Sequence, residues 1–288
     1  MRFNLIAFVA LFSAILSAGA TVLIRQGLRD ASTHTGYWLN LVVGVIGLWS
    51  VTLLVTPAHI SAFQAVPFFV LSGLIGTIGG RFTRFVAIEK VGAAVAASIN
   101  NLNPFISTGL AILLLGEHVT LPMLGGTCLI VMGTILLSLS GRQVGFRPRQ
   151  LIYPFTAAAC FGVVAIIRKV GLSQTGPLFG AAVNMTTAFV VFTAFLIASG
   201  NARALRCRGR PCWYFVAAGV AENASVCLMI VALSLEKVSV VAPLAGTAPL
   251  FVLLMSYVFL RGVETLTWRI VAGTLFIVSG VVLLTASV

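Results

Sequence analysis

The segment "GTCLIVMG" at residues 126–133 returns as "GTLFIVSG" at residues 273–280, which lies 147 positions later. The same offset relates "IEKV" (88–91) to "LEKV" (235–238). Separate segments that share one spacing and one order indicate a duplicated unit, and internal repeats of this kind decide the architecture of a chain. We therefore predict that the two halves have the same fold.

The duplication extends toward the N-terminus of each half with an offset of 143. It relates Phe12, Gly19 and Arg25 to Phe155, Gly162 and Arg168. We predict a first five-helix repeat at 1–140, a basic linker at 141–150 and a second five-helix repeat at 151–288. Together they form one folding unit.

The composition places the chain in a membrane. Of its 288 residues, 59% are hydrophobic and only 8% are charged, whereas soluble domains carry about a quarter charged residues. Apolar runs of about 20 residues, the length of a transmembrane helix, recur throughout. The net charge of +12 lies mostly in short loops, where it orients helices, so we do not expect a nucleic-acid partner. The predicted class is an all-α polytopic membrane protein.

Polar residues, proline and glycine separate ten apolar spans. The predicted spans are 4–24, 36–55, 65–87, 92–115, 121–139, 151–169, 177–199, 212–234, 239–260 and 266–286. Because five is odd, the second repeat enters the membrane from the side opposite to the first. Two inverted repeats of this kind are typical of secondary transporters, whose substrate site lies near the midplane between the halves.

Two long segments resemble a known family. They are "NPFISTGLAILLLGEHVTLPMLGGTCLIVMG" (103–133) and its counterpart "APLFVLLMSYVFLRGVETLTWRIVAGTLFIVSG" (248–280). They are similar to the EamA-like, ten-helix branch of the drug/metabolite transporter superfamily. The resemblance implies export of amino acids and other metabolites, or transport of drugs or sugar conjugates.

The basic residues predict an orientation. Loops that follow odd-numbered helices hold 13 basic residues, and the opposite side holds four, including Arg168. Positive charge favours the cytoplasm, so both termini should face the outer side of the inner membrane. This orientation keeps Cys207 and Cys212 on the reducing side, where no disulfide is required.

Three elements bring polar residues to one depth in the membrane. Glu222 lies about ten residues into helix 8 and Arg81 about nine from the end of helix 3, each roughly 14 Å from the same side. A charge at this depth must face protein or water. Arg81 is the expected partner of Glu222, and Arg84, which is shallower, is expected to extend toward the interface. Asn223 follows Glu222 at the same level.

Helix 4 adds three asparagines in "SINNLNPF" (98–105). Asn100, Asn101 and Asn103 reach the same depth as Glu222, and Pro104 frees the carbonyl of Asn100 from its helical hydrogen bond. Because the second repeat lacks these groups, an asymmetric ligand site is favoured. Helix association through buried polar groups is the alternative.

The complete predicted substrate site comprises Arg81, Asn100, Asn101, Asn103, Asn184, Glu222, Asn223 and Tyr257. Arginine and amide groups suit a carboxylate, and Glu222 suits an ammonium group, so export of amino acids is the leading hypothesis. An organic anion, a phosphorylated solute or a drug is the alternative substrate. A scaffold or an enzyme is not favoured, because no nucleophile–base pair is visible.

No cofactor and no metal site are predicted. Transport is either coupled to a proton, with Glu222 as its candidate carrier, or a uniport down the substrate gradient. The expected partners are a small-molecule substrate and the lipid bilayer. One chain already contains both halves, so a monomer suffices.

Overall fold

The computed structural model describes residues 2–55, 63–100, 102–117, 119–138, 147–259 and 268–286, and in these ranges it is helical with no strand. The helices of the first half are α1 (Arg2–Gly27), α2 (Thr33–Val55), α3 (Val66–Ser72), α4 (Thr83–Val91), α5 (Ala93–Asn100), α6 (Asn103–Leu115) and α7 (Leu121–Ser138). Those of the second half are α8 (Ile152–Leu172), α9 (Pro177–Ala198), α10 (Arg210–Leu235), α11 (Val238–Ala245), α12 (Ala248–Phe259) and α13 (Trp268–Ala286). A π-helix, Gly73–Phe82, joins α3 to α4.

Within the described residues, six helical segments are long and apolar enough to cross a membrane. They are Ile6–Gly27, Thr33–Val55, Val66–Val91, Pro148–Leu172, Pro177–Ala198 and Arg210–Leu235. Shorter apolar segments lie at Asn103–Leu115 and Leu121–Leu136, and a third, Val238–Val252, includes α11 and the start of α12. The protein is therefore a multi-pass helical membrane protein.

Two predicted spans are broken at corresponding places in the two halves. The span predicted at 92–115 divides where α5 ends at Asn100 and α6 begins at Asn103, and the span at 239–260 divides between α11 and α12 around Gly246. With the offset of 147, Asn100 corresponds to Thr247. Breaks at matching positions of two repeats mark the midplane sites of transporters.

Local hydrogen bonding explains the first break. Proline has no N–H, so Pro104 cannot donate to the carbonyl of Asn100. That carbonyl instead accepts a hydrogen bond from the Asn103 side chain at 2.9 Å. The prediction that Pro104 releases this oxygen agrees with the structure, although the oxygen is used within the break. Asn101 lies outside the described residues.

Helices α7 and α13 pack through reciprocal glycine contacts. A Cβ atom on Gly133 would lie 2.6 Å from the carbonyl oxygen of Gly273, and one on Gly280 would lie 2.6 Å from that of Gly126. These positions correspond through the offset of 147. Because the pairing order is reversed along the second helix, the helices run antiparallel. Identical contacts made in both directions define a local two-fold axis.

Basic residues bind the carbonyl ends of corresponding helices. Arg25 donates to the backbone oxygen of Glu89 at 3.3 Å, and Lys169 donates to that of Glu236 at 2.7 Å. Glu89 and Glu236 are equivalent in the repeat. A cation is favourable where helix carbonyls are unsatisfied. Lys169, and not the aligned Arg168, therefore has the role of Arg25.

The carboxylate of Glu117 caps α11. It accepts hydrogen bonds from the backbone N–H groups of Val238 at 3.0 Å and Ser239 at 3.1 Å. The hydroxyl of Ser239 donates to the same carboxylate at 2.7 Å. An acidic group at a helix N-terminus satisfies otherwise unpaired donors.

The loop between α9 and α10 contains a disulfide that the sequence did not predict. Cys207 and Cys212 form a disulfide, with their Cα atoms 5.7 Å apart, whereas the predicted orientation required none. Gly209, at a φ of 79°, turns the chain between them. This turn brings the two Cα atoms into the range of about 4.4–6.8 Å that a disulfide needs.

Candidate functional site

A central cavity of about 160 Å³ lies between the two halves. Both halves contribute to its wall: α1, the π-helix, α4, α5 and α6 from the first, and α8, α10, α11 and α12 from the second. Uncharged polar side chains in the wall include Ser13, Ser17, Thr21, Thr77, Asn100 and Asn103. Clefts that bury drug-sized ligands measure roughly 300–1,000 Å³, so this cavity suits a small polar solute.

Among the described residues, the charged side chains in the wall are Arg81, Arg84, Arg168 and Glu222. All are buried, with exposures of 2%, 8%, 8% and 4% respectively. Three guanidinium groups face one carboxylate, so the wall carries an excess of positive charge. Burying such a charge is costly unless it is paired, and the excess therefore favours an anionic occupant.

Arg84 is the close partner of Glu222. Its Nη1 atom lies 2.7 Å from Glu222 Oε1, whereas the Nε atom of Arg81 lies 4.0 Å from the same oxygen. Arg84 also donates to the hydroxyl of Thr21 and to the backbone oxygen of Ser17. The expectation that Arg84 extends toward the interface was wrong, because these acceptors on α1 hold it inside the protein.

Arg81 is held by amide oxygens. Its Nη1 atom donates to Asn40 Oδ1 and to Asn223 Oδ1, each at 3.0 Å. The Nδ2 atom of Asn223 donates to the backbone oxygens of Asn40 and Gly219. Asn223 therefore orients Arg81 from behind the wall, since it is not among the residues that line the cavity.

Arg168 was expected at a helix end, in the even-numbered loops, but the structure places it in the cavity wall. Its Nε atom donates to Ser72 Oγ at 2.8 Å. Ser72 in turn donates to Asn184 Oδ1 at 2.8 Å, and Asn184 Nδ2 donates to Thr77 Oγ1 at 3.0 Å. Asn184 is fully buried behind Ser72 and does not line the cavity.

Removing the two buried arginines from the loop count changes the predicted charge bias little. Arg84 leaves one side and Arg168 leaves the other, so 12 basic residues face three. The excess on the odd-numbered loops remains, and so does the orientation that it predicts.

The structure gathers Arg81, Glu222, Asn100 and Asn103 around one cavity, as their depths predict. Asn100 Oδ1 and Glu222 Oε2 are buried, and within the described part of the chain neither has a hydrogen-bond partner. Both are acceptors that a ligand with N–H groups can satisfy. Asn101 and the side chain of Tyr257 lie outside what the structure describes.

Sequence reasoning missed the polar face of α1. Ser13, Ser17 and Thr21 all line the cavity and are spaced by four residues, which places them on one helix face. This spacing was a usable signal. Asn40 on α2, which binds Arg81, gave none, because a single asparagine in an apolar helix does not identify its partner.

The EamA-like transporter family matches the chain twice, over residues 4–139 and 149–286. The chain therefore belongs to this family, and its two halves are the two repeats of the family's fold.

A relative and a solved structure extend this comparison. An uncharacterized protein of Methanocaldococcus jannaschii is 30% identical over 99 residues, which cover 34% of this chain and 72% of that protein. A crystal structure described only as that of a protein has a TM-score of 0.77 at 18% identity. The match covers 96% of this chain and 95% of the other. It shows a shared fold.

Proposed function

We propose that the protein is a secondary transporter, and not an enzyme, that exports small polar metabolites across the inner membrane. In this proposal ten transmembrane helices form two inverted five-helix repeats, divided at the linker 141–150. The central cavity is exposed alternately to each side as the repeats rock. The observation that carries the proposal is a charged cavity between two repeats, lined by helices that break at matching positions.

Amino acids are the leading substrate class. The arginines suit a carboxylate, for which the planar guanidinium offers paired donors. The Oε2 atom of Glu222 and the Oδ1 atom of Asn100, which have no hydrogen-bond partner among the described residues, suit an ammonium group. The cavity volume of about 160 Å³ also favours a small solute over a drug.

Small organic anions and phosphorylated solutes are the second candidate. The observation in their favour is that guanidinium groups outnumber carboxylates among the described residues that line the cavity. Glu222 Oε1 is already occupied by Arg84, which weakens its attraction for an ammonium group. Amino acids with an acidic side chain carry both a net negative charge for the guanidinium groups and an ammonium group for the acceptor oxygens.

Transport by purified protein in liposomes tests the proposal. We expect liposomes that contain the protein to exchange labelled glutamate, or another amino acid, at least ten-fold faster than protein-free liposomes. A panel with neutral amino acids, dicarboxylates and sugar phosphates ranks the substrate classes. An imposed pH gradient that changes net efflux would indicate proton coupling, whereas an unchanged rate would indicate uniport. Exchange at the protein-free rate for every class would contradict transport.

A topology experiment tests the proposed orientation. We expect a C-terminal alkaline phosphatase fusion to be active in a Gram-negative host and a C-terminal GFP fusion to be dark. The reason is that the odd-numbered loops hold 12 of the 15 basic residues outside the cavity, and positive charge favours the cytoplasm. The disulfide between Cys207 and Cys212 favours the opposite orientation, in which their loop faces the outer side, because disulfides persist on the oxidising side of the membrane. A fluorescent GFP fusion, with both cysteines unreactive toward maleimide until reduction, would reverse the proposed orientation.

A further inference from the structure

The structure assigns Arg168 as the anchor for the anionic group of the substrate, an assignment that rests on the proposed transport function. From the sequence, Arg81 was the predicted arginine of the substrate site. Three observations among the described residues transfer it to Arg168: terminal donors without an acceptor, no carboxylate partner, and a series of polar side chains that orients it.

The donors of the three arginines differ in how far the protein satisfies them. Arg84 is paired with Glu222 at 2.7 Å, and Arg81 has two amide acceptors at 3.0 Å. For Arg168 the hydrogen bond seen among the described residues is from Nε to Ser72. Its two terminal nitrogens are therefore available to a ligand.

The surroundings of Arg168 do not neutralise it. It is 8% exposed, and no salt bridge joins it to an acidic residue in the described ranges. A buried guanidinium without a counterion is unfavourable. A carboxylate or a phosphoryl group in the central cavity can supply both the opposite charge and two acceptors in the plane of the guanidinium.

A hydrogen-bonded chain holds the guanidinium in place. Ser72 accepts from Arg168 and donates to Asn184, and Asn184 donates to Thr77. Ser72 binds the Nε atom, and no other described residue accepts a hydrogen bond from the two terminal nitrogens. Ser72 and Asn184 are therefore positioning residues for Arg168. Their hydrogen bonds connect α3, α9 and the π-helix.

The test measures binding and not transport, so it can be separated from the test of function. Purified full-length protein is titrated with glutamate, succinate and inorganic phosphate, and thermal unfolding is followed. Succinamide is the uncharged match of succinate, and glutamine is the match of glutamate that keeps only the α-carboxylate. We expect at least one anion to raise the midpoint at concentrations where its amide match does not. In Arg168→Gln we expect the half-maximal concentration to rise about ten-fold or more, the effect of losing one charge-assisted contact of about 1.4 kcal/mol.

Two further variants separate anchoring from a structural role. Arg168→Lys keeps the charge without the paired donors and should give an intermediate affinity. Arg149→Gln removes an exposed arginine and should bind as the wild type does. Without solute, Arg168→Gln should unfold at or above the wild-type midpoint, because an uncompensated buried charge has been removed.

The proposal is overturned if Arg168→Gln keeps the wild-type anion affinity, whether or not it unfolds earlier without solute. It is also overturned if no anion stabilises the wild-type protein more than its amide match. If anions bind through Arg168 but no solute crosses the liposome membrane, the role of Arg168 is supported and the transport proposal is wrong. If transport proceeds equally for anions and amides, the transport proposal stands and the anchor fails.

Discussion

Arg84→Gln is expected to lower the free energy of unfolding by about 3–5 kcal/mol, the usual effect of breaking a buried ion pair by removing one partner. The change leaves Glu222, which is 4% exposed, without its partner at 2.7 Å. Arg81 cannot replace Arg84 freely, because moving it breaks its bonds to Asn40 and Asn223. Chemical denaturation of the purified protein in detergent measures the loss.

The double variant decides whether the loss comes from the pair. In Arg84→Gln with Glu222→Gln both charges are gone, so most of the free energy of unfolding should return. Transport should be low, because both residues line the cavity. The matched control is Lys90→Gln, which breaks the exposed pair of Lys90 and Glu89 and should cost less than about 1 kcal/mol. A double variant as unstable as Arg84→Gln alone would show that Arg84 stabilises the protein through Thr21 and Ser17 instead.

Gly133→Ala and Gly280→Ala are expected to destabilise the protein by similar amounts, about 1–3 kcal/mol each, through overpacking. Each new Cβ atom would lie 2.6 Å from a backbone oxygen of the facing helix. A backbone oxygen cannot rotate away as a side chain can, so α7 and α13 must separate. Because the two contacts are related by a local two-fold axis, their losses should be nearly equal in the same denaturation assay.

Gly109→Ala is the control for these two variants. Apart from the backbone of its own helix, no described residue lies within 4 Å of a Cβ atom at this position of α6. Alanine is also the better helix former by about 1 kcal/mol. The control should therefore leave stability unchanged or raise it. Unequal losses at Gly133 and Gly280 would contradict the symmetric packing, and a gain at both would contradict the close approach itself.

Much of the fold could be predicted because its signals are one-dimensional. Apolar runs of membrane length and a repeat offset of 147 can be read without knowing any contact. The same offset then relates the glycine contacts of α7 and α13, and it relates the breaks near Asn100 and Thr247. The π-helix at Gly73–Phe82 was not predicted, because four glycines in ten residues are compatible with several helical forms.

The depth of the residues in the membrane predicted which of them meet at the candidate site, but it did not predict which arginine pairs with Glu222. Arg81, Asn100, Asn103 and Glu222 line one cavity because helical rise sets their level in the membrane. Depth alone does not choose between Arg81 and its neighbour one turn later, Arg84. That choice depends on the acceptors that α1 and α2 bring to each arginine.

Taken alone, the sequence determined the membrane class, the repeated unit and the layer in which polar groups meet. These follow from hydrophobic length and residue spacing, which are properties of single helices. Only the tertiary structure decided that Arg84 pairs with Glu222 and that Arg168 lines the cavity. Those outcomes depend on the rotation of each helix about its axis, and packing against other helices, rather than spacing along the chain, sets that rotation.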